Sequence, residues 1–319
     1  MRTIELHAKQ LFEGIDGILP TTLAIGDFDG VHLGHQEVLR TAKRIADENS
    51  EHAAVMIFHP HPRVILGMDG YDYLLTPIHH RLNLFAKAGM QTTYIVVFDR
   101  EFSEWSAEQF VSVALKTLQV KNVVVGFDFR YGFRGLGTVE SLKEHTNGET
   151  NVHIVPPFEL DGEKVSSRRI RALLQFGNVS DAMNCLGRPF AVRGTVVAGD
   201  ARGRTIGFPT ANVLPVEMYV VPKLGVYAAT FKLLNRDGTS GESMQAVMNV
   251  GIRPTFEGTN DVRIEVHIMD RQLDLYGCRV EVEWIECIRE EQKFDTLDDL
   301  IMQIRADVQK AKQIFSQRS

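Results

Sequence analysis

Two histidines three residues apart carry the first chemistry legible in this chain. In Gly26-Asp27-Phe28-Asp29-Gly30-Val31-His32-Leu33-Gly34-His35 an apolar run ends, a turn rich in Gly and Asp follows, and a helical pattern begins. A strand-to-helix turn of this kind aims backbone N–H groups and the positive end of a helix dipole at whatever lies above it, which makes it a phosphate site. His32 and His35 stand at i and i+3 of the helix start, so both rings can face one anion. An ordinary imidazole pKa of about 6.5 lets nearby phosphate favour the charged form. Gly34 between them leaves room for a base or sugar. Two surface histidines on a plain strand–turn–helix would fit the same spacing, and HxGH alone leaves both readings open. The chain contains neither a GxxxxGK[ST] loop nor a GxGxxG fingerprint, so a nucleotide would have to be held in another way.

A second cluster lies far downstream. Gly199, Gly203 and Gly207 recur at four-residue spacing and run into Phe208-Pro209-Thr210-Ala211-Asn212, a pattern unsuited to a helix or strand interior and suited to a loop that approaches another group closely. Glu265 sits between Ile264 and Val266 on the polar face of an alternating strand. It could be a base, or a solvated strand residue like Glu281 or Glu283. The stretch Ser166-Ser167-Arg168-Arg169-Ile170-Arg171 reads by itself as a capped basic helix.

These residues need elements to place them. Unalternating apolar runs at 22–25, 53–58, 92–98, 122–127 and 152–155 are spaced as successive strand–helix–strand units, and strands this apolar are covered on both faces. Val38, Leu39, Ala42, Ile45 and Ala46 keep helical spacing between the first two, and Phe110, Val111, Ala114, Leu115 and Leu118 do so before the fourth. The first half therefore predicts a doubly wound α/β domain. After about residue 187 the period becomes two. Val280, Val282 and Trp284 alternate with Arg279, Glu281 and Glu283, which predicts an antiparallel barrel. Leu297, Leu300, Ile301, Ile304, Val308, Ala311 and Phe315 then form one helical stripe, capped by Thr296 and expected against the barrel. One helix is expected over 170–186. Gly187-Arg188-Pro189 breaks it, so the domains are expected at 1–186 and 187–319.

Composition narrows the classes. The chain has 319 residues, enough for two domains with their own cores, and 35 Lys plus Arg against 41 Asp plus Glu give a net charge of −6. That balance argues against a general nucleic-acid or acidic-membrane binder, so any phosphate site must be local. Hydrophobic residues at 44% and charged residues at 24% are ordinary globular usage. Cys185, Cys278 and Cys287 are scattered without metal spacing, no run approaches a membrane span of about 20 apolar residues, and no secretory layout opens the chain, which points to the cytoplasm.

Taken together the motifs resemble a known family. GDFDGVHLGH is similar to the (G)xFDGxHxGH segment of the HxGH nucleotidylyltransferases, a Rossmann-like group. Phe58-His59-Pro60-His61-Pro62 resembles a PHP element, Gly126-Phe127-Asp128-Phe129-Arg130-Tyr131-Gly132 a GxDFxxG element and Val165–Arg171 an SSTxxR element. These four resemble the adenylyltransferase module of prokaryotic FAD synthetases. Gly203-Arg204-Thr205-Ile206-Gly207-Phe208-Pro209-Thr210-Ala211-Asn212 resembles the GRxxGFPTAN segment of riboflavin kinases. That likeness continues through Met248-Asn249-Val250-Gly251-Ile252-Arg253-Pro254-Thr255-Phe256 and Glu265-Val266-His267 to Phe294.

The resemblance implies a bifunctional enzyme with ATP as co-substrate and Mg²⁺ as cofactor, acting on riboflavin and FMN. His32 and His35 would stabilise adenylyl transfer, and Gly26, Phe28, Gly34, His61, Ser167, Arg168 and Arg171 would bind ATP there. Asp128 and Phe129 are candidates for the flavin side. In the second half Gly199 and Gly207 would bind phosphate, Thr210 and Asn212 would hold Mg²⁺ and ATP, and Glu265 would be the general base. Arg168 stands where the family has Thr, His59 where a residue is commonly acidic, and Ala198 where some relatives have His. Two other readings stay open: a chain that is chiefly a kinase because Arg168 weakens adenylyl transfer, and a flavin-binding regulator without turnover. Oligomeric state is not readable from these residues.

Overall fold

The structure is a computed structural model that describes residues 1–65, 67, 73–199, 203, 206–236, 238–254, 260–271 and 273–318. Its contacts divide the chain into two compact units, Met1–Ser166 and Ser167–Ser319.

The first unit is built on a six-stranded sheet in the order β1-β4-β3-β2-β5-β6. The strands are β1 (Arg2–Leu6), β2 (Thr21–Ile25), β3 (His52–His59), β4 (Thr92–Val97), β5 (Val120–Gly126) and β6 (Asn151–Val155), and every pairing is parallel. The five expected strands are present. β1 is an addition at the edge, where Arg2 and Glu5, one on each face, break up the apolar run. Alternate residues of each inner strand feed opposite faces: Leu23, Ile25, Met56 and Val123 enter one core, while Ala24, Val55, Ile57 and Val124 enter the other. Helix Leu33–Asn49 buries Val38, Leu39, Ala42, Ile45 and Ala46 on the second face, as its spacing predicts. The segment 107–115 is helical, but Phe110–Leu115 is wound as a π-helix. From β2 the sheet grows through β3 to β4, and β5 returns to the other flank of β2. The crevice at the carboxyl ends of β2 and β5 is therefore the topological switch point where doubly wound sheets bind ligands.

The second unit opens with helices Ser167–Gln175 and Val179–Leu186. They replace the single helix expected over 170–186. Gly177 takes a φ of +80°, and the Asn178 side chain caps the next helix by accepting from Asp181 N–H at 3.3 Å. The second helix packs on the barrel, where Ser180 Oγ donates to the carbonyl of Ile285 at 3.3 Å. The compact division consequently falls twenty residues ahead of the boundary at 187 read from Gly and Pro.

Strands β9 (Phe190–Val197), β10 (Ala211–Pro215), β11 (Gly225–Leu234), β12 (Ser240–Pro254), β13 (Asn260–Ile268) and β14 (Arg279–Glu290) close a barrel in the order β10-β13-β12-β11-β14-β9. Strands β7 (Glu159–Leu160) and β8 (Glu163–Lys164) form a small hairpin in the first unit. Every barrel pairing is antiparallel, and Val213, Phe231, Met248, Val250, Ile264, Val280, Val282 and Trp284 are buried inside. The terminal helix Leu297–Arg318 covers Val226, Ala228, Val247 and Ile285 on the outside with Ala311 and Ile314. The buried Asp307 carboxylate anchors it by accepting from Arg289 Nε and Nη2 at 3.0 and 2.9 Å.

Candidate active sites

The histidine site lies directly after β2. His32 is the N-cap of helix Leu33–Asn49, its Nδ1 accepting from His35 N–H at 3.3 Å, and it is 6% exposed. The two rings stack with centroids 3.6 Å apart and 17° between planes. The i,i+3 spacing thus does bring both imidazoles onto one side of the helix start. Gly34 admits the His32 ring, because a Cβ there would stand 3.3 Å from Cε1 and 3.6 Å from Phe158 Cβ. The turn leading in is tense: Phe28, Gly30 and Val31 have φ of +53°, +91° and +42°, a region that a β-branched residue rarely occupies. Asp29 holds the turn by accepting from the N–H groups of Leu75 and Thr76 at 3.2 and 3.0 Å. Phe28 is buried with its ring edge-on to His35 at 5.2 Å and to Phe85 at 5.6 Å. Its side chain therefore buttresses His35. Against it lies Gly26, where a Cβ would come within 3.1 Å of the Phe28 ring.

The loops after β3 and β5 share this edge because both strands run parallel to β2 on either side of it. His61 follows β3, with Nε2 2.7 Å from Asp27 Oδ2. Arg81, itself 2% exposed, donates to the Asp27 carbonyl at 2.6 Å and lies 3.8 Å from the carboxylate. The sequence reading missed both Asp27 and Arg81; the mixed pattern of the helix Ile78–Lys87 gave no sign that one of its arginines turns inward. Burial and the Arg81 charge push the His59 imidazole below its ordinary pKa, partly opposed by Glu5. After β5, Asp128 is exposed and accepts from Lys164 Nζ at 2.6 Å, and the same ammonium sits 4.4 Å above the Phe127 ring. Lys164 comes from the β7–β8 hairpin, turned by Asp161 and Gly162 at φ +55° and +76°. Phe129 stacks on Tyr131 at 5.7 Å and packs against the core.

Ser167, Arg168 and Arg171 open helix Ser167–Gln175, which belongs to the second unit. Ile170 and Leu174 form its buried face, and Arg168 projects into solvent.

The barrel site is a polar strip on the outer wall. Glu265 on β13 stands directly opposite Asn212 on β10 and directly opposite Asn249 on β12. Opposed residues point to one face of the sheet, so the three side chains form a row while Ile264 and Val266 point inward. Arg263 Nη1 is 3.9 Å from Glu265 Oε1, both side chains about one-third exposed. The segment leading to Thr210 is pinned to the strip: the His267 ring donates from Nδ1 to the Pro209 carbonyl at 2.9 Å, and Phe208 meets the same ring edge-on at 5.4 Å. Phe208 N–H donates to the Gly203 carbonyl at 2.8 Å, and a Cβ on Gly203 would collide with the Phe208 carbonyl. A Cβ on Gly199 would collide with the Asn212 amide, and Gly207 has a φ of +86°. Each glycine is therefore required by a close approach or by its backbone angle. Thr210 is exposed at the end of this loop. The motif members Asp200 to Arg202, Arg204, Thr205, Thr255 and Phe256 lie outside the described residues. His267, Asn249 and Arg263 were not assigned roles from sequence, although alternation placed Arg263 and His267 on the same strand face as Glu265.

Glu281 and Glu283 correct the comparison drawn from sequence. They are not solvated: Glu281 is 5% exposed, pairs with Arg193 at 2.7 Å and accepts from Ser240 Oγ at 2.7 Å, and Glu283 pairs with Lys232 at 2.5 Å. Burial lowers the nearby Arg188 guanidinium to about 10 even though Glu281 and Glu283 oppose the shift. Of the three strand glutamates, Glu265 is the one with accessible carboxylate on an open strip.

Among the described residues no group of three or more His, Cys, Asp and Glu forms a metal cluster. The strip nevertheless fits Mg²⁺, which takes hard oxygen donors and usually completes its shell with waters and nucleotide phosphates. The residues that would hold it are Thr210, through its hydroxyl, and Asn212, through its amide oxygen.

A doubly wound unit with imidazoles at its switch point is followed by a barrel bearing a carboxylate between two amides, an arrangement suited to phosphate-group chemistry in each unit. Comparison with known proteins specifies it. The family model described as FAD synthetase matches residues 18–169, and that described as riboflavin kinase matches residues 186–315. The bifunctional riboflavin kinase/FMN adenylyltransferase of Bacillus subtilis (strain 168) is 40% identical over 99% of each chain, and that of Escherichia coli (strain K12) is 37% identical over 92% of each. A crystal structure described as a macrolide-efflux protein from Streptococcus pneumoniae has a TM-score of 0.87 at 33% identity, covering 98% of this chain and 99% of that one. Among the described residues no helix is long and apolar enough to cross a membrane. The chain belongs to the bifunctional riboflavin kinase/FMN adenylyltransferase family.

Proposed function

We infer that the barrel phosphorylates riboflavin to FMN with ATP and that the α/β unit transfers an adenylyl group from ATP to FMN, giving FAD and pyrophosphate. The observation that carries this is the coincidence of each family match with a separate unit, together with an accessible Glu265 on the polar strip of the second.

In the kinase reaction the ribityl 5′-hydroxyl oxygen bonds to the γ-phosphorus, the bond from that phosphorus to the β-bridging oxygen breaks, and ADP leaves. Glu265 takes the hydroxyl proton. Thr210 and Asn212 would hold Mg²⁺, which would neutralise phosphate charge when bound, and the backbone at Gly199 and Gly207 would meet phosphate oxygens. Asn212 and Glu265 being adjacent across β10 and β13 supports one site for ATP and base. In adenylyl transfer an FMN phosphate oxygen bonds to the α-phosphorus of ATP and pyrophosphate departs. No proton need move. The task is to neutralise two approaching anions, which His32 and His35 would do as fixed donors on the helix N-terminus, with His61 beside them. Gly26 and Gly34 would serve the ATP side by giving room to the Phe28 and His32 rings, Phe28 would hold His35, and Ser167, Arg168 and Arg171 would add donors to the ATP phosphates. Asp128 and Phe129 would serve the flavin. Because both reactions draw on ATP, the cytoplasm is the proposed location.

Purified protein with riboflavin, ATP and Mg²⁺ should yield FMN and then FAD. Accumulation of FMN alone would favour the chiefly-kinase reading, and absence of both products would overturn the proposal. Glu265→Gln should abolish FMN formation and leave FAD formation from supplied FMN, whereas His32→Ala should do the reverse.

A further inference from the structure

Asn249 belongs to a motif of the second unit that no step above uses. It is half-buried on β12, opposite Glu265 across the β12–β13 ladder and opposite Val226 across β11–β12. On its other flank Glu265 faces Asn212, whose amide lies so close to the glycine loop that a Cβ on Gly199 would overlap it. The carboxylate is therefore set between two amides that differ in their surroundings. Beside Asn249 the wall is occupied by the Glu291 carboxylate. Gly251, two residues on, lacks a side chain; a Cβ there would stand 3.5 Å from Asn249 Nδ2 and would collide with Glu291 Oε1. The neighbours that share the Glu265 face are thus Arg263 and His267 on β13, Asn212, Asn249, and Glu291 after β14.

We propose that Asn249, which shares no side-chain hydrogen bond with Glu265 in this structure, is a positioning residue for the kinase reaction, its amide N–H groups turning across the ladder with substrate bound to hold the Glu265 carboxylate in the orientation that accepts the hydroxyl proton. The inference rests on the reading of Glu265 as the base. Three physical points support it. A carboxylate used as a base must keep one oxygen directed at the substrate, and a strand Glu has rotatable bonds that solvent alone does not restrain. Arg263 restrains it from along the same strand at 3.9 Å, a distance that attracts without fixing orientation. An amide directly across the ladder belongs to a class of pairs whose Cβ atoms typically stand about 4.5–5.5 Å apart, and it is neutral, so it can donate without removing the negative charge that the proton transfer needs. Val226 on the far side of Asn249 is buried under the terminal helix, which limits the directions open to the amide.

The test compares Asn249→Ala and Asn249→Leu, with Glu265→Gln in parallel, in the full chain. Leu restores the volume of Asn without its donors. Both Asn249 variants should lower kcat for FMN formation by roughly 10- to 100-fold with KM for riboflavin and ATP within about twofold, the signature of lost alignment. FAD formation from supplied FMN and the thermal unfolding midpoint should be unchanged. Wild-type kcat in Asn249→Leu, with loss only in Asn249→Ala, would mean that the residue merely fills space and would overturn the proposal, as would wild-type kcat in both. Retention of FMN formation by Glu265→Gln would overturn the base assignment and the proposal with it, whereas loss in that variant beside wild-type Asn249 variants would overturn the proposal alone.

Discussion

At the scale of single residues, charge placed out of water separates structure from chemistry. Glu281 and Arg193 are 6% and 11% exposed in their side chains and are held together at 2.7 Å, with Ser240 completing the carboxylate. Removing one member of such a pair leaves the other buried and uncompensated, so Glu281→Ala should lower folding stability by roughly 3–5 kcal/mol in urea unfolding. Glu283 and Lys232 are a second such pair. Nothing in the alternation of β14 distinguishes these glutamates from Glu265, because period two reports which face a residue occupies and is silent on what covers that face. Arg168 is the opposite case. It is exposed at the start of its helix, where the family has Thr. Arg168→Thr should therefore leave stability within about 0.5 kcal/mol and alter only adenylyl transfer, read as KM for ATP.

Elements decide how firmly those residues are held. The first-unit sheet is tied together at the end opposite its histidine site by polar groups: Asn122 Nδ2 donates to Glu51 Oε2 at 2.8 Å, His153 Nε2 meets Asn122 Oδ1 at 2.9 Å, and His52 Nε2 meets Thr92 Oγ1 at 2.8 Å. Burial holds both imidazoles below their ordinary pKa, with Arg2 adding to the shift at His52 and Arg44 at His153, the latter partly offset by Glu51. The folded state then binds protons less readily than the unfolded chain. Stability contributed by the neutral rings is complete above about pH 6.5 and falls as the pH drops below that value. Urea midpoints should accordingly decrease between pH 7 and pH 5, and His153→Gln, which keeps an N–H donor for Asn122, should flatten that slope. Strands and helices were readable where apolar residues recur on a fixed period, as in helix Leu33–Asn49 and β2 to β6. The edge strand β1 and the break at Gly177 were not, since an edge strand needs only one partner and a single glycine can sit inside a helix or end it.

For the whole molecule, the division into units is the feature with the clearest consequence. Helix Val179–Leu186 buries Val179, Ala182, Cys185 and Leu186 and packs on β9 and β14. A fragment of residues 167–319 should therefore unfold at higher urea than one of residues 187–319, the difference amounting to several kcal/mol at about 25 cal/mol per Å² of apolar surface. Equal stabilities would place the working boundary at 187. The net charge of −6 is spread over a molecule in which several cationic side chains are engaged with carboxylates, as Lys164, Arg193, Lys232 and Arg289 are, so under the proposed function phosphate recognition must be local. The sequence by itself determined the two fold classes, the terminal helix, the shared side of His32 and His35 and the strand face of Glu265, because each depends on spacing within one element. Tertiary structure alone decided that Asp27 joins His61 to Arg81, that Lys164 reaches Asp128, and that Asn212 and Asn249 flank Glu265. Those partners lie 16 to 54 residues apart along the chain and meet only through strand order and register, which no local period encodes.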